Sequence, residues 1–120
     1  NVLSPTVLTG VPRDSRVACE EVFGPVVVVE SYDSFDEAIE AVNSSRYGLQ
    51  AGVFTRDIGR QQLAMEELDV GGLLFNEVPT FRADHLPYGG VKESGLGREG
   101  IRYAMQAFSE VRTIISRRLT

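Results

Sequence analysis

Apolar residues in the first part of the chain form two short runs of the kind that β-strands use. Thr6–Thr9 is β-prone and is followed by the turn formers Gly10 and Pro12. Val26–Val29 holds four consecutive valines, which do not alternate with polar residues. Because both faces of such a strand are apolar, we expect it to be covered on two sides within a parallel sheet.

A helical pattern follows the valine run. Ser34 and Glu37 have the spacing of a capping box, in which the Ser side chain accepts from the Glu backbone N–H and the Glu side chain accepts from the Ser backbone N–H. The apolar positions recur with the period of one helix face; they are Phe35, Ala38, Ile39 and Val42. We expect this helix to end near Asn43, with Gly48 closing the turn.

The alternation then repeats. Residues 51–55 predict a second strand, Asp57 is placed to cap a second helix, and residues 70–76 predict a third strand. The inner side of the second helix is expected to carry Leu63, Ala64 and Leu68. Strand, helix, strand, helix, strand is the order of an α/β fold, so we predict a partial parallel sheet with flanking helices and right-handed crossovers.

The last third of the chain is irregular at first. Residues 77–97 form a long loop rich in Pro and Gly, and loops of this length in compact domains are often functional. A helix is expected after it, with Ile101, Ala104, Met105 and Phe108 on one face. Residues 110–115 are again β-prone. Such a strand would take a sheet edge within this chain or pair with a neighbouring subunit.

Composition narrows the class of protein. The 120 residues fit one domain, and 42% hydrophobic with 24% charged residues is typical of a globular chain. A net charge of −5 offers no basic patch for nucleic acid or an anionic membrane, and no apolar stretch is long enough to span a bilayer. One cysteine cannot form an internal disulfide, so a reducing, cytoplasmic setting is expected. The chain does not begin with Met, which we take to indicate that it starts within a larger protein, although processing would leave the same trace.

Few residues are candidates for chemistry on their own. Glu20 and Glu21 precede a turn and a strand, where a carboxylate can bind ribose hydroxyls and Phe23 can pack on a nicotinamide ring. A solvated carboxylate pair beside a core phenylalanine explains the same residues and is favoured from the residues alone. Cys19 is flanked by Ala and two carboxylates, which disfavour a thiolate nucleophile. His85 is the single histidine, and one His with one Cys gives no metal-ligand spacing.

The glycine-rich residues 89–97 do not form a phosphate-binding P-loop. The order Gly-Lys-Ser/Thr is missing, and no strand runs directly into the segment. We interpret it as a tight loop whose glycines let the backbone approach a neighbouring site.

Four sequence motifs, in the right order and with the right spacing, resemble motifs of the aldehyde dehydrogenases. They are Glu-Glu-Val-Phe-Gly-Pro at 20–25, Asn-Ser-Ser-Arg-Tyr-Gly-Leu at 43–49, Val-Phe-Thr-Arg-Asp at 53–57 and Pro-Tyr-Gly-Gly-Val-Lys-Glu-Ser-Gly-Leu-Gly-Arg-Glu at 87–99. The resemblance extends from about residue 5 to residue 115. It implies an enzyme that oxidises an aldehyde to a carboxylic acid with NAD or NADP, through a cysteine thioester.

The resemblance also implies roles for particular residues. Glu21 would bind the ribose on the nicotinamide side, Phe23 would contact the nicotinamide, and Leu49 would wall the same pocket. This reverses the preference for a solvated carboxylate pair.

On the substrate side, Phe81 and Tyr88 match aromatic positions of the aldehyde tunnel. The stretch from 80 to 85 is similar to that of members acting on small polar or anionic aldehydes, such as lactaldehyde or phosphonate-bearing ones. Arg82 or His85 would then meet an anionic substrate group.

Several family features have no match here. The nucleophilic Cys after Gly-Gln, the Glu of the Glu-Leu-Gly-Gly motif and the Rossmann-type domain are absent from these residues. We therefore expect residues 1–108 to be the C-terminal part of a catalytic domain and residues 109–120 an oligomerisation strand of a homo-oligomer. The isolated chain would hold no catalytic residue, bind NAD or NADP only weakly and be inactive. The alternative is a free-standing, non-catalytic α/β module that self-associates or binds a partner.

Overall fold

A computed structural model describes residues 1–118. The strands are β1 (Thr6–Thr9), β2 (Val26–Val29), β3 (Tyr47–Gly48), β4 (Gln50–Val53), β5 (Gly72–Phe75) and β6 (Val91–Lys92). The helices are α1 (Arg16–Cys19), α2 (Phe35–Asn43), α3 (Ile58–Glu67) and α4 (Ile101–Ala107). The predicted α/β order is confirmed. The short elements α1, β3 and β6 were not anticipated.

The strands pair two by two. β1 pairs with β2 and β4 with β5, both in parallel. β3 and β6 form an antiparallel pair, with Tyr47 opposite Lys92 and Gly48 opposite Val91. The prediction of a single partial sheet is therefore wrong in one respect: these residues form separate two-stranded ladders, one of them antiparallel. Gly48, predicted to close a helix turn, lies in β3 instead.

Both helix starts follow the predicted capping. The Ser34 hydroxyl accepts a hydrogen bond from the Glu37 N–H at 3.2 Å, and the Glu37 carboxylate accepts one from the Asp33 N–H at 3.0 Å. The Asp57 carboxylate accepts from the N–H groups of Gly59 and Arg60 at 2.8 and 3.2 Å. The bonds to Ser34 and Asp57 satisfy first-turn donors that have no partner within the helix, so local sequence indicates where α2 and α3 begin. The second half of the predicted capping box differs, because the Glu37 carboxylate accepts from the Asp33 N–H rather than from the N-cap Ser34 N–H.

The core of the described residues is small. Its buried apolar side chains are Ile39 of α2 and Ala64 of α3. Val27 and Val29 are half exposed, at 52% and 49%, so two-sided coverage of the valine strand is wrong within this chain. The predicted apolar face of α4 is also uncovered, since Ile101 is 70% exposed. These faces are uncovered because the chain places too few elements against them.

Size measures agree with an incomplete fold. The accessible surface is 10170 Å², whereas a compact protein of this mass exposes about 6,400 Å². The radius of gyration is 20.1 Å, against about 14 Å for a compact domain of this length. The exposed surface includes many large apolar side chains, and contiguous apolar patches on soluble proteins typically mark interaction surfaces.

Residues 110–115, predicted to be β-prone, show no strand. The structure assigns neither helix nor strand to residues 109–118, and Val111 and Ile114 are 100% and 81% exposed. Pairing with an edge of this chain is therefore wrong for the described residues. Pairing with a neighbouring subunit stays a prediction, and residues 119 and 120 of that segment lie outside the described residues. Within the described part, no helix has the length and apolar character needed to cross a bilayer.

We expect the isolated 120-residue chain to self-associate through its open apolar faces. Size-exclusion chromatography with light scattering should give a mass above that of a monomer, and the measured mass should rise with protein concentration. Replacing Val27 and Val29 together by Thr should reduce this mass, because it makes the open face of β2 polar while keeping β-branched side chains. A single monomeric species of the parent sequence at all concentrations would contradict the expectation.

Candidate functional site

Glu21 and Phe23 lie in the loop that joins α1 to β2. The turn is closed by hydrogen bonds from the Gly24 N–H to the Val22 carbonyl, 2.9 Å, and from the Val26 N–H to the Gly24 carbonyl, 2.8 Å. Phe23 is 94% exposed, so it is not a core residue in this chain. The tight turn instead presents the aromatic ring to whatever faces the loop.

The two neighbouring carboxylates differ in their partners. Glu20 accepts three hydrogen bonds from the Arg16 guanidinium at 2.9 to 3.2 Å, and this bonding raises the pKa of Arg16. Glu21 is exposed and forms no side-chain hydrogen bond or ion pair with other residues between 1 and 118. Of the pair, Glu21 is thus the carboxylate available to a ligand.

Leu49 lies between β3 and β4 and is held by backbone bonds on both sides. The Gly48 N–H donates to the Ser94 hydroxyl at 2.9 Å, and the Gly72 N–H donates to the Leu49 carbonyl at 3.0 Å. Its side chain remains 39% exposed. Glu21, Phe23 and Leu49 all precede strands, so they lie at amino ends rather than at the carboxyl ends where ligands usually bind in α/β sheets.

A cavity of about 270 Å³ joins three of the four predicted substrate residues. Its lining residues are Gln50, Gly72, Leu73, Leu74, Phe81, Arg82, Ala83, Leu86, Pro87 and Tyr88. His85 is not among them. It lines a separate concave surface beside α4 with Ile101 and Met105. The structure therefore brings Phe81, Arg82 and Tyr88 together and leaves His85 apart.

Arg82 is oriented by two contacts. Its Nη2 donates to the Glu99 carboxylate at 2.8 Å, and its guanidinium carbon lies 4.6 Å from the centroid of the Tyr88 ring. Tyr88 and Glu99 are tied to each other by backbone hydrogen bonds of 3.1 and 2.6 Å. Among residues 1–118, the protein hydrogen bonds of Arg82 come from Nη2. The other guanidinium N–H groups have no protein hydrogen-bond partner among residues 1–118, and such groups form charge-assisted hydrogen bonds with carboxylate or phosphate oxygens.

Sequence reasoning missed a set of polar contacts around the glycine-rich loop. Lys92 donates from Nζ to the carbonyls of Asn43 and Ser45 at 2.9 and 3.1 Å. Arg98 donates from Nη1 to the Gly90 carbonyl at 2.8 Å. The partners of Lys92 are 47 and 49 residues away in sequence, so no local periodicity indicates them. The one feature of the sequence that could have indicated these contacts is the presence of a lysine among glycines.

Close backbone packing surrounds the first glycines of this loop. A Cβ at Gly90 would lie 3.1 Å from the Gly48 carbonyl oxygen, and a Cβ at Gly71 would overlap the carbonyl oxygen of Gly89. The loop therefore packs directly on the strand region that carries Leu49. That its glycines let the backbone approach a neighbouring site stays a prediction.

Within residues 1–118, neither Cys19 nor the charged side chains form a second catalytic or metal-binding site. The Cys19 thiol is exposed and donates to the Arg13 carbonyl at 3.0 Å. The Tyr47 hydroxyl, through its hydrogen bond, raises the pKa of Arg46, with Glu93 adding to the effect. Both arginines with raised pKa values, Arg16 and Arg46, thus stay cationic at all physiological pH values. Within residues 1–118 no group of His, Cys, Asp or Glu side chains could hold a metal ion.

Comparison with known proteins identifies the family. The sequence profile described as "Aldehyde dehydrogenase family" matches residues 1–114. The chain belongs to the aldehyde dehydrogenase family.

Individual relatives agree at high identity. The 3-sulfolactaldehyde dehydrogenase of Priestia aryabhattai is 50% identical over 111 residues, which are 92% of this chain and 23% of that protein. Aldehyde dehydrogenase 21 from Physcomitrella patens, solved with the reaction product succinate, is 45% identical with a TM-score of 0.84, covering 88% of this chain and 22% of its own. Glyceraldehyde-3-phosphate dehydrogenase from Methanocaldococcus jannaschii, solved with NADP, is 43% identical with a TM-score of 0.85. The match covers 92% of this chain and 24% of that protein's chain. The chain thus spans less than a quarter of the length of these proteins.

The close approach of the glycine loop makes a stability prediction. Gly71→Ala should lower the free energy of unfolding by about 2 kcal/mol or more, because the Gly89 carbonyl is backbone and cannot move aside cheaply. Gly72→Ala is the matched control: its Cβ would meet the flexible Gln50 side chain at 3.0 Å, so we expect a loss below about 1 kcal/mol. Urea unfolding of both variants measures the difference, and equal losses would contradict the packing described.

Proposed function

We propose that this chain is the C-terminal part of the catalytic domain of an NAD(P)-dependent aldehyde dehydrogenase that oxidises a small anionic aldehyde to a carboxylic acid. Residues 1–108 contribute walls of the cofactor and substrate sites, and residues 109–120 pair with another subunit of a homo-oligomer. The cysteine that forms the thioester and the general base come from parts of the enzyme outside these residues. The single cysteine here, Cys19, fits a reducing compartment such as the cytoplasm.

The observation that supports this substrate class is the placement of Arg82. Its guanidinium is fixed over Tyr88 by Glu99 and borders the cavity beside Phe81. A cation held in this way binds an anionic group of the substrate at a defined distance from the aromatic walls, and so orients the aldehyde carbon. Two relatives named above agree with an anion, since one acts on 3-sulfolactaldehyde and another was solved with succinate.

The cofactor side rests on Glu21, Phe23 and Leu49. The Glu21 carboxylate has no partner among the described residues and can accept hydrogen bonds from the hydroxyl groups of a ribose. The exposed Phe23 ring can pack on a planar nicotinamide. The residues present therefore fit the nicotinamide half of NAD or NADP. That dinucleotide, when bound, accepts the hydride that leaves the substrate carbon. A solved relative holds NADP, which supports this class of cofactor without choosing between the two.

The proposed mechanism assigns binding and orientation to these residues. Arg82 binds the anionic end of the aldehyde, and Phe81 and Tyr88 exclude water around its carbon chain. Leu49 helps to wall the nicotinamide pocket, where Glu21 holds the cofactor. His85 lies on another surface in this chain and has no assigned step.

Arg82→Met in the full-length enzyme should abolish the preference for an anionic aldehyde. Losing charge-assisted hydrogen bonds should lower kcat/KM for 3-sulfolactaldehyde about 10- to 100-fold. Lactaldehyde, which lacks the sulfonate, is the control substrate and should change by less than about threefold. Steady-state kinetics with both substrates give the two ratios, and parallel losses would count against an anion-binding role for Arg82.

The isolated 120-residue chain should not oxidise aldehydes, whereas the full-length protein that contains it should reduce NAD or NADP with an anionic aldehyde. The reason is that thiolate attack and thioester hydrolysis need a nucleophile and a base that these residues do not supply. Absorbance of the reduced cofactor follows both proteins. Turnover by the purified isolated chain would refute the assignment, and an inactive but stably assembled full-length protein would favour the non-catalytic module instead.

A further inference from the structure

Lys92 follows Tyr88 of the proposed substrate wall by four residues and is paired with Tyr47, which precedes Leu49 of the proposed cofactor wall by two residues. We propose that Lys92 is a positioning residue that fixes Leu49 relative to Tyr88, and so links the geometry of the nicotinamide side to that of the aldehyde side. This inference rests on the proposed function. It assigns Lys92 no contact with substrate or cofactor.

The side chain of Lys92 is anchored at the end of a helix. It is the single lysine of the chain, and its side chain is 20% exposed. Its ammonium donates to the carbonyls of Asn43 and Ser45, at the C-terminal end of α2. Carbonyls at a helix end have no partner within the helix and carry the negative end of its dipole, so a cation there is stabilised. Asp69 adds a carboxylate oxygen at 3.8 Å.

The anchor point is itself a junction of two helices. Asn43 donates from Nδ2 to the Glu67 carbonyl at 2.6 Å, and its Oδ1 accepts from the Asp69 N–H at 2.9 Å. Asn43 therefore holds the end of α3 against the end of α2. Because Lys92 bonds to the Asn43 carbonyl and lies near Asp69, it is tied to both helices at once.

The backbone around Lys92 holds Leu49 in place. Lys92 is opposite Tyr47 in the antiparallel pair, and two residues later the Ser94 hydroxyl accepts the Gly48 N–H. Lys92 has a φ of 53°, a left-handed conformation that is unfavourable for a side chain with a Cβ. Surrounding bonds must therefore maintain it, and the charge-assisted contacts of the ammonium group are among them.

In the other direction the same segment leads to Tyr88. Gly89 packs against Gly71, and the Gly90 carbonyl accepts from Arg98. Between Tyr88 and Lys92 there is thus a short backbone segment, closely packed along its length. Releasing the Lys92 ammonium would let this segment shift and change the separation of Tyr88 and Leu49.

Kinetics and binding of the full-length enzyme test this role. Lys92→Met, which keeps the length of the side chain and removes its charge, should raise both the KM for 3-sulfolactaldehyde and the Kd for the oxidised dinucleotide about 10-fold, because small displacements of site walls have large effects. Lys92→Arg keeps charge and donors and should recover part of both. Arg56→Met removes one exposed positive charge that forms no ion pair among residues 1–118, and should leave both constants unchanged.

A lower melting temperature for Lys92→Met with both constants within about twofold of the parent enzyme would show a purely structural role and overturn the inference. If Lys92→Met does not fold, Ser94→Ala decides the question, since it removes only the acceptor of the Gly48 N–H. It should raise both constants in the same direction, and unchanged constants would overturn the inference. A parent enzyme that oxidises no aldehyde would instead refute the proposed function, and this inference with it.

Discussion

The proposed arrangement of the site depends most on the ammonium group of Lys92 at the end of α2. It offsets the negative end of one helix, lies near the carboxylate that follows another, and fixes the glycine loop to both. The glycines then allow that loop to lie against the strands with no side chain between them. Leu49 lies beside this segment through the bond of the Gly48 N–H to Ser94, and Tyr88 precedes the segment and is tied by backbone bonds to Glu99.

The proposed substrate and cofactor residues are exposed for a common reason. Phe23 and Phe81 project from loops, and the valine strand and α4 have uncovered apolar faces. A site wall needs an opposite wall, and this chain aligns with only 23% and 22% of the lengths of two family relatives. The open surface and the exposed candidate residues both agree with the proposal that further parts of the enzyme cover them.

Local features of the fold could be predicted from sequence, because their causes are local. Ser34 and Asp57 cap the helices that follow them, and the valine run forms a strand, since each depends on neighbours within a few residues. The pairing of β3 with β6, the partner of Lys92 and the bond between Arg82 and Glu99 join residues far apart in sequence, and no periodicity indicates them. The resemblance indicated Phe81, Arg82 and Tyr88, which the structure brings together, but it also indicated His85, which faces elsewhere.

The sequence separation of the contacts around Leu49 has a consequence for folding. The bond between Gly48 and Ser94 spans 46 residues, and the bonds of Lys92 to α2 span 47 and 49. The capping contacts of α2 lie within residues 33–37, whereas the contacts that join Gly48 and the end of α2 to the glycine loop need residues 92–94. Contacts of such range are entropically costly to form and slow folding. We therefore expect the wall that contains Leu49 to acquire its shape late in folding.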